Sequence, residues 1–148
     1  MKSVDLQLLK KDFAKMSGRT KYKLGAKSPL HDGALLVPVF IDCSGYTRLA
    51  IYRATGITIP DGSQNQLAWA KKNLRRVEYA DAAKFAKSDP SRLFICFLSP
   101  KKGKAWPRHV WFLCTGKTLE SCSSLGVGSR SWDVSVLKGC VDCFEVTG

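Results

Sequence analysis

The sequence reads IDCSGYTRLAIYRATG over residues 41–56. Its pattern from Cys43 to Thr55 is typical of a helix, and Gly56 is the kind of residue that ends one. An irregular segment with several glycines and prolines precedes it at residues 19–42. Cys43 is therefore predicted to lie in the first turn of a helix, where unpaired backbone N–H groups and the helix dipole favour a thiolate.

A histidine that could serve this cysteine stands much later in the chain, at His109, where a predicted strand begins. An imidazole beside a cysteine can act first as a base that accepts the thiol proton. It can then act as an acid that protonates the amine released when an amide bond is cleaved. Spacing alone leaves a second interpretation open, in which Cys43 packs in the core and His109 is structural. The other histidine, His31, lies in the irregular segment and is a poor candidate for the base.

Length and composition indicate one globular domain. The chain has 148 residues, of which 45% are hydrophobic and 24% charged. These values are close to globular averages and exclude a disordered chain or a coiled coil. We expect residues 1–148 to form a single domain, and we expect a monomer.

The charge is the unusual feature, with 24 Lys and Arg against 12 Asp and Glu and a net charge of +12. Residues 1–29 and 71–108 carry the excess, whereas the segments around Cys43 and His109 are close to neutral. We expect attraction to an anionic wall polymer or membrane surface, which salt would weaken. The sequence shows no zinc finger, RRM-like motif or helix-turn-helix signature, so no nucleic-acid partner is expected.

Helices are predicted early in the chain and strands late. Leu6, Leu9, Phe13 and Met16 step by three and four, as in an amphipathic helix that Gly18 would end. Ser63 and Gln66 form a capping box that would open a third helix, running to about Leu74. Short β-rich runs follow at 93–98, 109–114, 118–123, 134–137 and 141–146.

This order predicts an α+β fold with a mostly antiparallel sheet rather than alternating βαβ units. Trp106, Trp111 and Trp132 are expected to help fill the interface between the sheet and the helices.

The segment Asp42-Cys43-Ser44-Gly45-Tyr46 resembles the nucleophile motif of NlpC-type cysteine peptidases, bacterial cell-wall hydrolases with a compact papain-like fold. Residues 20–25 are similar to the family's Tyr-x-x-Gly segment, and residues 109–116 to its histidine strand and turn. Residues 117–121 and 126–128 resemble its next strand and small-residue loop. The resemblance covers about residues 18–137 and implies N-terminal helices packed on a mostly antiparallel sheet.

The resemblance also implies a reaction, the hydrolysis of an amide bond in the peptidoglycan stem peptide, typically between D-γ-glutamyl and diaminopimelate. Cys43 would form an acyl-enzyme and His109 would shuttle the proton, without any cofactor. The backbone N–H of Cys43 and the phenol of Tyr22 would hold the oxyanion. Asp42 and Ser44 would hold the stem peptide, although helix capping is an equal alternative for Asp42, and Ser44 more often packs the turn.

Glu120 is the predicted third member of the site, because it could orient the imidazole through its other nitrogen. If residues 109–114 and 118–123 form a hairpin, a loop of even length places Glu120 on the face of His109. Thr115-Gly116 would serve as a two-residue loop, with Gly116 at positive φ. A solvated strand glutamate is the alternative.

The cysteines do not repeat a metal-ligand spacing. Cys140 and Cys143 form a single C-x-x-C pair, so a disulfide or core packing is a better interpretation than zinc. Outside the cytosol, either of these two residues could pair with Cys96, Cys114 or Cys122.

Residues 1–16 lack the apolar stretch of a secretory signal, and no run approaches the length of a membrane span. We expect a soluble protein that is made in the cytoplasm and is secreted or delivered to the periplasm without a classical signal peptide. A phage lysis product and a toxin delivered by a secretion machine both fit. An antibacterial effector of the second kind would also need a cognate immunity protein.

Two rival functions stay open at this point. One is a basic binding module for nucleic acid or anionic surfaces, in which Cys43 and His109 only pack. The other is an acyltransferase on the same fold, in which the acyl group passes to an acceptor other than water.

Overall fold

The computed structural model describes residues 3–30, 37–100, 102–104, 107–137 and 140–147. His31 and Trp106 lie outside the described residues. The helices in the described part of the chain are α1 (Leu6–Met16), α2 (Cys43–Thr55), α3 (Ser63–Asn73) and α4 (Tyr79–Ser88). None of the helices described is long and apolar enough to cross a membrane.

The described strands form one antiparallel sheet in the order β1-β6-β2-β3-β4-β5. Their bounds are β1 (Arg75–Val77), β2 (Phe94–Leu98), β3 (His109–Cys114), β4 (Lys117–Cys122), β5 (Gly126–Gly128) and β6 (Val141–Glu145). The prediction of an α+β fold with N-terminal helices on a mostly antiparallel sheet is confirmed.

Both faces of the central strands are buried. In β3, Val110 and Phe112 face a core shared with α1 and α2, whereas Trp111 and Leu113 face a second core against α4. This alternation follows from the period of two along a strand. Trp111 fills the sheet-to-helix interface as expected, and Trp132 packs at its margin.

The helix that carries Cys43 has the predicted bounds. α2 begins at Cys43 after Asp42, whose extended backbone and side chain cap the helix. Gly56 ends it in the left-handed conformation, at a φ of 78°. Only a residue without a Cβ adopts that conformation at little cost, so the helix stops at this position.

The hairpin between β3 and β4 also has the predicted loop. Cys114 lies opposite Lys117, so the loop consists of Thr115 and Gly116. Both residues have positive φ, at 55° and 80°, as a type I′ turn requires. The even loop length keeps Glu120 on the face of the sheet that carries His109.

The predicted capping box is wrong. The residue before α3 is Gly62, which has no side chain to cap the helix. The Ser63 hydroxyl instead donates a hydrogen bond to the Pro107 carbonyl at 3.2 Å. Gln66 is fully buried and donates to the carbonyls of Ser44 and Pro60, at 2.9 and 3.0 Å. The glutamine amide is bonded to α2 through the Ser44 carbonyl, so it is not available to cap its own helix.

The strand predicted at 134–137 is also wrong, because residues Ser135–Leu137 form a 3₁₀ turn. A hydrogen bond from Leu137 N–H to the Val134 carbonyl at 2.9 Å closes it, and the Leu137 side chain packs in the core against α4. The valines favoured a strand locally, but burial of one leucine decided the conformation.

Three elements were not predicted. α4 buries only the small side chains of Ala82, Ala83 and Ala86, a weak apolar signal inside a basic stretch. β1 is an exposed edge strand that contains two arginines, and β5 is three residues long with a glycine at each end. None of these has the composition that marks a strand or an amphipathic helix.

Candidate active site

Asp42 fixes the start of α2. Its Oδ1 accepts a hydrogen bond from the Gly45 backbone N–H at 2.6 Å, and its Oδ2 accepts one from the Gly25 N–H at 3.1 Å. The Lys27 ammonium lies 2.8 and 2.7 Å from the two carboxylate oxygens. Cys43 therefore sits directly after a carboxylate whose oxygens are already engaged within the protein.

Lys27 also donates to the Ser44 hydroxyl at 2.8 Å. Ser44 is buried, and its carbonyl accepts from Gln66 at 2.9 Å. Neither Lys27 nor Gln66 was predicted to support the site. The contacts tie the first turn of α2 to the preceding irregular segment and to α3.

Gly45 is required because the chain passes very close to it. A Cβ at this position would lie 2.8 Å from the Ala26 carbonyl and 2.8 Å from Asp42 Oδ1. Both distances are shorter than real Cβ contacts, so the Asp42 cap and the glycine depend on each other. Residues 42–45 are thus one packing unit.

His109 begins β3 and interacts with Cys43 from the sheet. Its Nε2 lies 2.6 Å from Glu120 Oε1, and the ring stacks on Trp111 at a centroid distance of 5.4 Å. Burial by itself lowers the pKa of His109, but hydrogen bonds with Cys43 and Glu120 outweigh it and raise that pKa to about 9. With Nε2 on Glu120, the nitrogen left for the Cys43 thiol is Nδ1.

Glu120 has no exposed surface. It accepts hydrogen bonds from His109, from the Thr118 hydroxyl and from Arg130. Burial by itself raises the pKa of Glu120, but the hydrogen bonds from His109, Arg130 and Thr118 lower it to about 2. The carboxylate is therefore charged over the whole physiological range, and it is paired with donors from three residues.

Arg130 is a further site residue that the sequence did not reveal. Its Nη2 lies 2.5 Å from Glu120 Oε1 and its Nε 3.0 Å from Oε2, the two-pronged geometry that suits a carboxylate. Its backbone also pairs with Thr118, through N–H to Oγ1 at 2.8 Å and carbonyl to N–H at 2.9 Å. The sequence signal was present only as an isolated arginine after the Gly126–Gly128 segment.

Tyr22 lies beside the nucleophile. Burial, followed by the nearby Cys43 and Asp42 side chains, raises the pKa of Tyr22, so its phenol keeps its proton at neutral pH. Tyr22, His109 and Arg130 line a cleft of about 480 Å³. A substrate in this cleft would meet one phenol donor and one imidazole.

The structure thus brings Cys43, His109, Glu120 and Tyr22 together, with Asp42 and Ser44 beneath the turn. Cys43 is half-buried, so its thiol is shielded but reachable. Within the described residues, no group of three His, Cys, Asp or Glu side chains is placed to hold a metal ion. The arrangement can generate a thiolate, orient an imidazole and donate a hydrogen bond to a developing oxyanion.

Comparison with solved structures identifies the fold. The chain aligns over its whole length with a protein of the NLP/P60 family, similar to lipoproteins, from Staphylococcus aureus, at a TM-score of 0.67 and 18% identity. It aligns over 98% of its length with the NlpC/p60 domain of the peptidoglycan hydrolase SagA, at a TM-score of 0.62 and 19% identity. The alignment with NlpC1 from Trichomonas vaginalis covers 97% of the chain, at a TM-score of 0.65 and 17% identity.

The chain spans 44% of the staphylococcal and of the trichomonad protein, and all of the SagA domain. No protein-family profile and no curated protein matches the sequence. The fold is that of NlpC/P60 domains, and the resemblance to NlpC-type peptidases is confirmed at the level of the fold.

Replacing Gly45 with alanine should displace the Asp42 cap, because the added methyl group would overlap the Ala26 carbonyl and Asp42 Oδ1. We expect a loss of roughly 1–3 kcal/mol in the free energy of unfolding, the usual cost of forced overpacking. We also expect lower specific activity of the folded fraction. Denaturant unfolding and turnover assays of the purified variant measure both.

Gly18→Ala is the matched control, since a methyl group there would meet nothing within 4 Å although φ is 75°. It should lower stability through backbone strain alone and leave the specific activity of the folded fraction unchanged. Equal activity in Gly45→Ala and wild type would contradict the coupling between this glycine and the nucleophile turn.

Proposed function

We propose that this protein is a cysteine peptidase that hydrolyses an amide bond in the stem peptide of peptidoglycan. The observation that carries the proposal is the placement of His109 between Cys43, which interacts with the imidazole, and the buried Glu120, which hydrogen-bonds to Nε2. It lies beside a cleft large enough for a peptide segment. A neighbour in fold is a domain of a peptidoglycan hydrolase, which supports the class of substrate.

In the proposed mechanism, Cys43 and His109 carry out the first chemical step. The Cys43 thiol first transfers its proton to Nδ1 of His109, whose pKa of about 9 keeps the imidazole protonated near neutral pH. The Cys43 sulfur then attacks the scissile carbonyl carbon. The tetrahedral oxyanion would accept hydrogen bonds from the Cys43 backbone N–H and the Tyr22 phenol. His109 then gives its proton to the leaving amine, which leaves an acyl group on the Cys43 sulfur.

The second step hydrolyses this thioester. His109 takes a proton from a water molecule that attacks the acyl carbon, and it returns a proton to the Cys43 sulfur as the acid product leaves. Glu120 holds the imidazole through Nε2 during both steps. The reaction needs acid–base and nucleophilic groups only, and the described residues supply them.

We infer that Asp42 and Ser44 act mainly by building the nucleophile turn. The oxygens of Asp42 are engaged by Gly45, Gly25 and Lys27, and the Ser44 hydroxyl lies between Lys27 and Asp42. Binding of the stem peptide by either side chain would require one of these contacts to open. Their placement favours the capping interpretation over direct substrate binding.

The proposals for the bond cleaved, the place of action and the biological role rest on the resemblance of residues 42–46 to the motif of NlpC-type peptidases. The bond would be the one between D-γ-glutamyl and diaminopimelate. The protein would act in the periplasm as a lysis enzyme or a delivered toxin, and in the second case a cognate immunity protein would protect the producer.

The hydrolase proposal predicts that purified wild-type protein releases soluble muropeptides from peptidoglycan sacculi and that Cys43→Ala does not. The alanine variant lacks the nucleophile, so release should fall to background. Mass spectrometry of the soluble fraction measures the release and identifies the bond cleaved. Cys140→Ala is the matched control, because Cys140 is exposed and makes no contact with the site cleft, and it should retain full activity.

No release by wild type, or equal release by wild type and Cys43→Ala, would overturn the proposal. Binding to sacculi without release by either protein would instead support the basic binding module. Transfer of the acyl group to an added amine, without free acid product, would support the acyltransferase.

We infer that Arg130 is a positioning residue that also moderates the charge of Glu120. Arg130 and His109 both donate to Glu120 Oε1, at 2.5 and 2.6 Å. The guanidinium therefore competes with the imidazolium for the same negative charge. In this way it keeps His109 acidic enough to release its proton to the leaving amine.

The pH profile of kcat/KM tests the effects of Glu120 and Arg130 on the pKa of His109. Wild type should lose activity as His109 loses its proton, at a pH near the pKa of about 9. Glu120→Gln removes the charge that supports the imidazolium, so the alkaline limit should move to lower pH. The same variant should lower turnover by roughly 10²–10⁴-fold, the range attributed to general acid–base catalysis.

Arg130→Met should move the alkaline limit in the opposite direction, to higher pH, because the full charge of Glu120 then acts on His109. Arg130→Lys keeps a cation near Glu120 and should restore a limit close to that of wild type. An alkaline limit that stays unchanged in Arg130→Met would restrict Arg130 to a structural role. An unchanged limit and rate in Glu120→Gln would exclude Glu120 as the residue that orients the imidazole.

We propose that the positive charge attracts the protein to anionic wall polymer. Of the four basic residues at 71–76, Lys71 and Lys72 would serve this attraction, and the two arginines would not. Arg75 pairs with Glu145 at 2.8 Å and Arg76 with Asp142 at 2.7 Å, so these two arginines join β1 to β6. Lys71 and Lys72 are exposed at the end of α3.

In the Cys43→Ala background, the double variant Lys71→Gln/Lys72→Gln should bind sacculi more weakly at low ionic strength than Cys43→Ala alone. The difference should fade at roughly 1 M salt, where the Debye length is about 3 Å. Pull-down in the Cys43→Ala background separates binding from hydrolysis. Equal binding at low salt would contradict a role for these lysines.

A further inference from the structure

Cys96 and Cys143 face each other inside the sheet. They are directly opposite in the register of β2 and β6, and their sulfur atoms lie 3.4 Å apart. Neither residue has any exposed surface. The sequence left Cys143 with three potential partners, and the tertiary structure brings one of them into contact with it.

The register places these cysteines at a position suited to a covalent bond. The Ser99 N–H donates to the Cys140 carbonyl at 2.9 Å, which makes that opposed pair a hydrogen-bonded one. Opposed pairs in an antiparallel ladder alternate, so three steps along, Cys96 and Cys143 form a non-hydrogen-bonded pair. Cα atoms of such pairs are about 4.5 Å apart, within the range of about 4.4–6.8 Å that a disulfide spans.

We propose that Cys96 and Cys143 form an intramolecular disulfide when the protein folds in an oxidising compartment such as the periplasm. The bond would join the central strand β2 to the C-terminal strand β6. β2 also pairs with β3, where Leu98 lies opposite His109. The crosslink therefore anchors the C-terminal strand to the part of the sheet that carries the catalytic imidazole.

The chemistry needs a disulfide oxidant, such as oxidised glutathione or a disulfide-donating oxidoreductase. One cysteine thiolate attacks the oxidant and forms a mixed disulfide, with release of one oxidant thiolate. The second cysteine thiolate then attacks the mixed disulfide, closes the Cys96–Cys143 bond and releases the other oxidant thiolate. The protein loses two electrons to the oxidant, and the two thiol protons leave to solvent and to the released thiolates.

Burial, and then contact with Cys143, raises the pKa of the Cys96 thiol well above its ordinary value. The thiolate is the reacting form, so oxidation of the folded, reduced protein should be slow. The bond is therefore expected to form while the strands assemble, when both thiols are still accessible to the oxidant.

The other cysteines are poorly placed for this pairing. Cys122 lies on β4, which β2 and β3 separate from β6. Cys114 packs in the core on the opposite face of the sheet, against α1 and α2. Cys140 is exposed, ahead of β6. Cys43 packs against the same core as Cys114, so it is expected to stay a free thiol.

Refolding of the reduced, denatured chain in a buffer of reduced and oxidised glutathione tests the proposal. Thiol counting in denaturant should then give four free thiols instead of the six cysteines of the sequence. Non-reducing peptide mapping should show one crosslink, between the peptides that contain Cys96 and Cys143. The midpoint of thermal unfolding should rise by roughly 5–10 °C over that of the reduced protein, since the bond closes a long loop.

Cys114→Ala is the matched control, because it removes an equally buried thiol that does not take part. It should form the same crosslink and leave three free thiols, whereas Cys96→Ala should leave all its five thiols free. Six free thiols in refolded wild type would overturn the proposal, as would a map that joins Cys143 to any other cysteine. Mapping the wild-type protein keeps the test decisive even where a variant folds poorly.

Discussion

A fully buried carboxylate is the constraint on which the rest of this site depends. Glu120 has no exposed surface, so its charge would be very costly without partners. His109, Thr118 and Arg130 supply those partners, and the pKa of Glu120 falls to about 2. The hairpin register, the position of Arg130 beside β4 and the orientation of the imidazole all have to be right for this carboxylate to remain buried.

On the other side of the Cys43 thiol from Glu120 there is a second buried carboxylate that is paired with a cation. Asp42 is nearly buried and is paired with Lys27, and its oxygens cap the helix that begins at Cys43. The thiol thus lies between two carboxylate–cation units, Asp42 with Lys27 and Glu120 with Arg130. In each unit the protein uses a charge to fix geometry, which leaves Cys43, His109 and the Tyr22 phenol as the groups that can meet a substrate.

Local signals in the sequence were sufficient where one short stretch decides the structure. The bounds of α1 and α2 and the two-residue loop at Thr115-Gly116 follow from periodicity, capping and positive φ, and all three agree with the structure. Local signals failed where distant residues compete for the same group. The Gln66 amide donates to the Ser44 carbonyl instead of capping α3. The segment at 134–137, whose valines predicted a strand, forms a 3₁₀ turn that buries Leu137.

The sequence by itself determined the placement of Cys43 at a helix start and the side of the hairpin on which Glu120 lies. These depend on backbone preferences and on strand alternation within a few residues. Only the tertiary structure decided that Arg130 neutralises Glu120, that α4 covers the second face of the sheet and that Cys96 meets Cys143. Those contacts join residues far apart in the chain, and their energy comes from burial and charge pairing, which exist only once the sheet has formed.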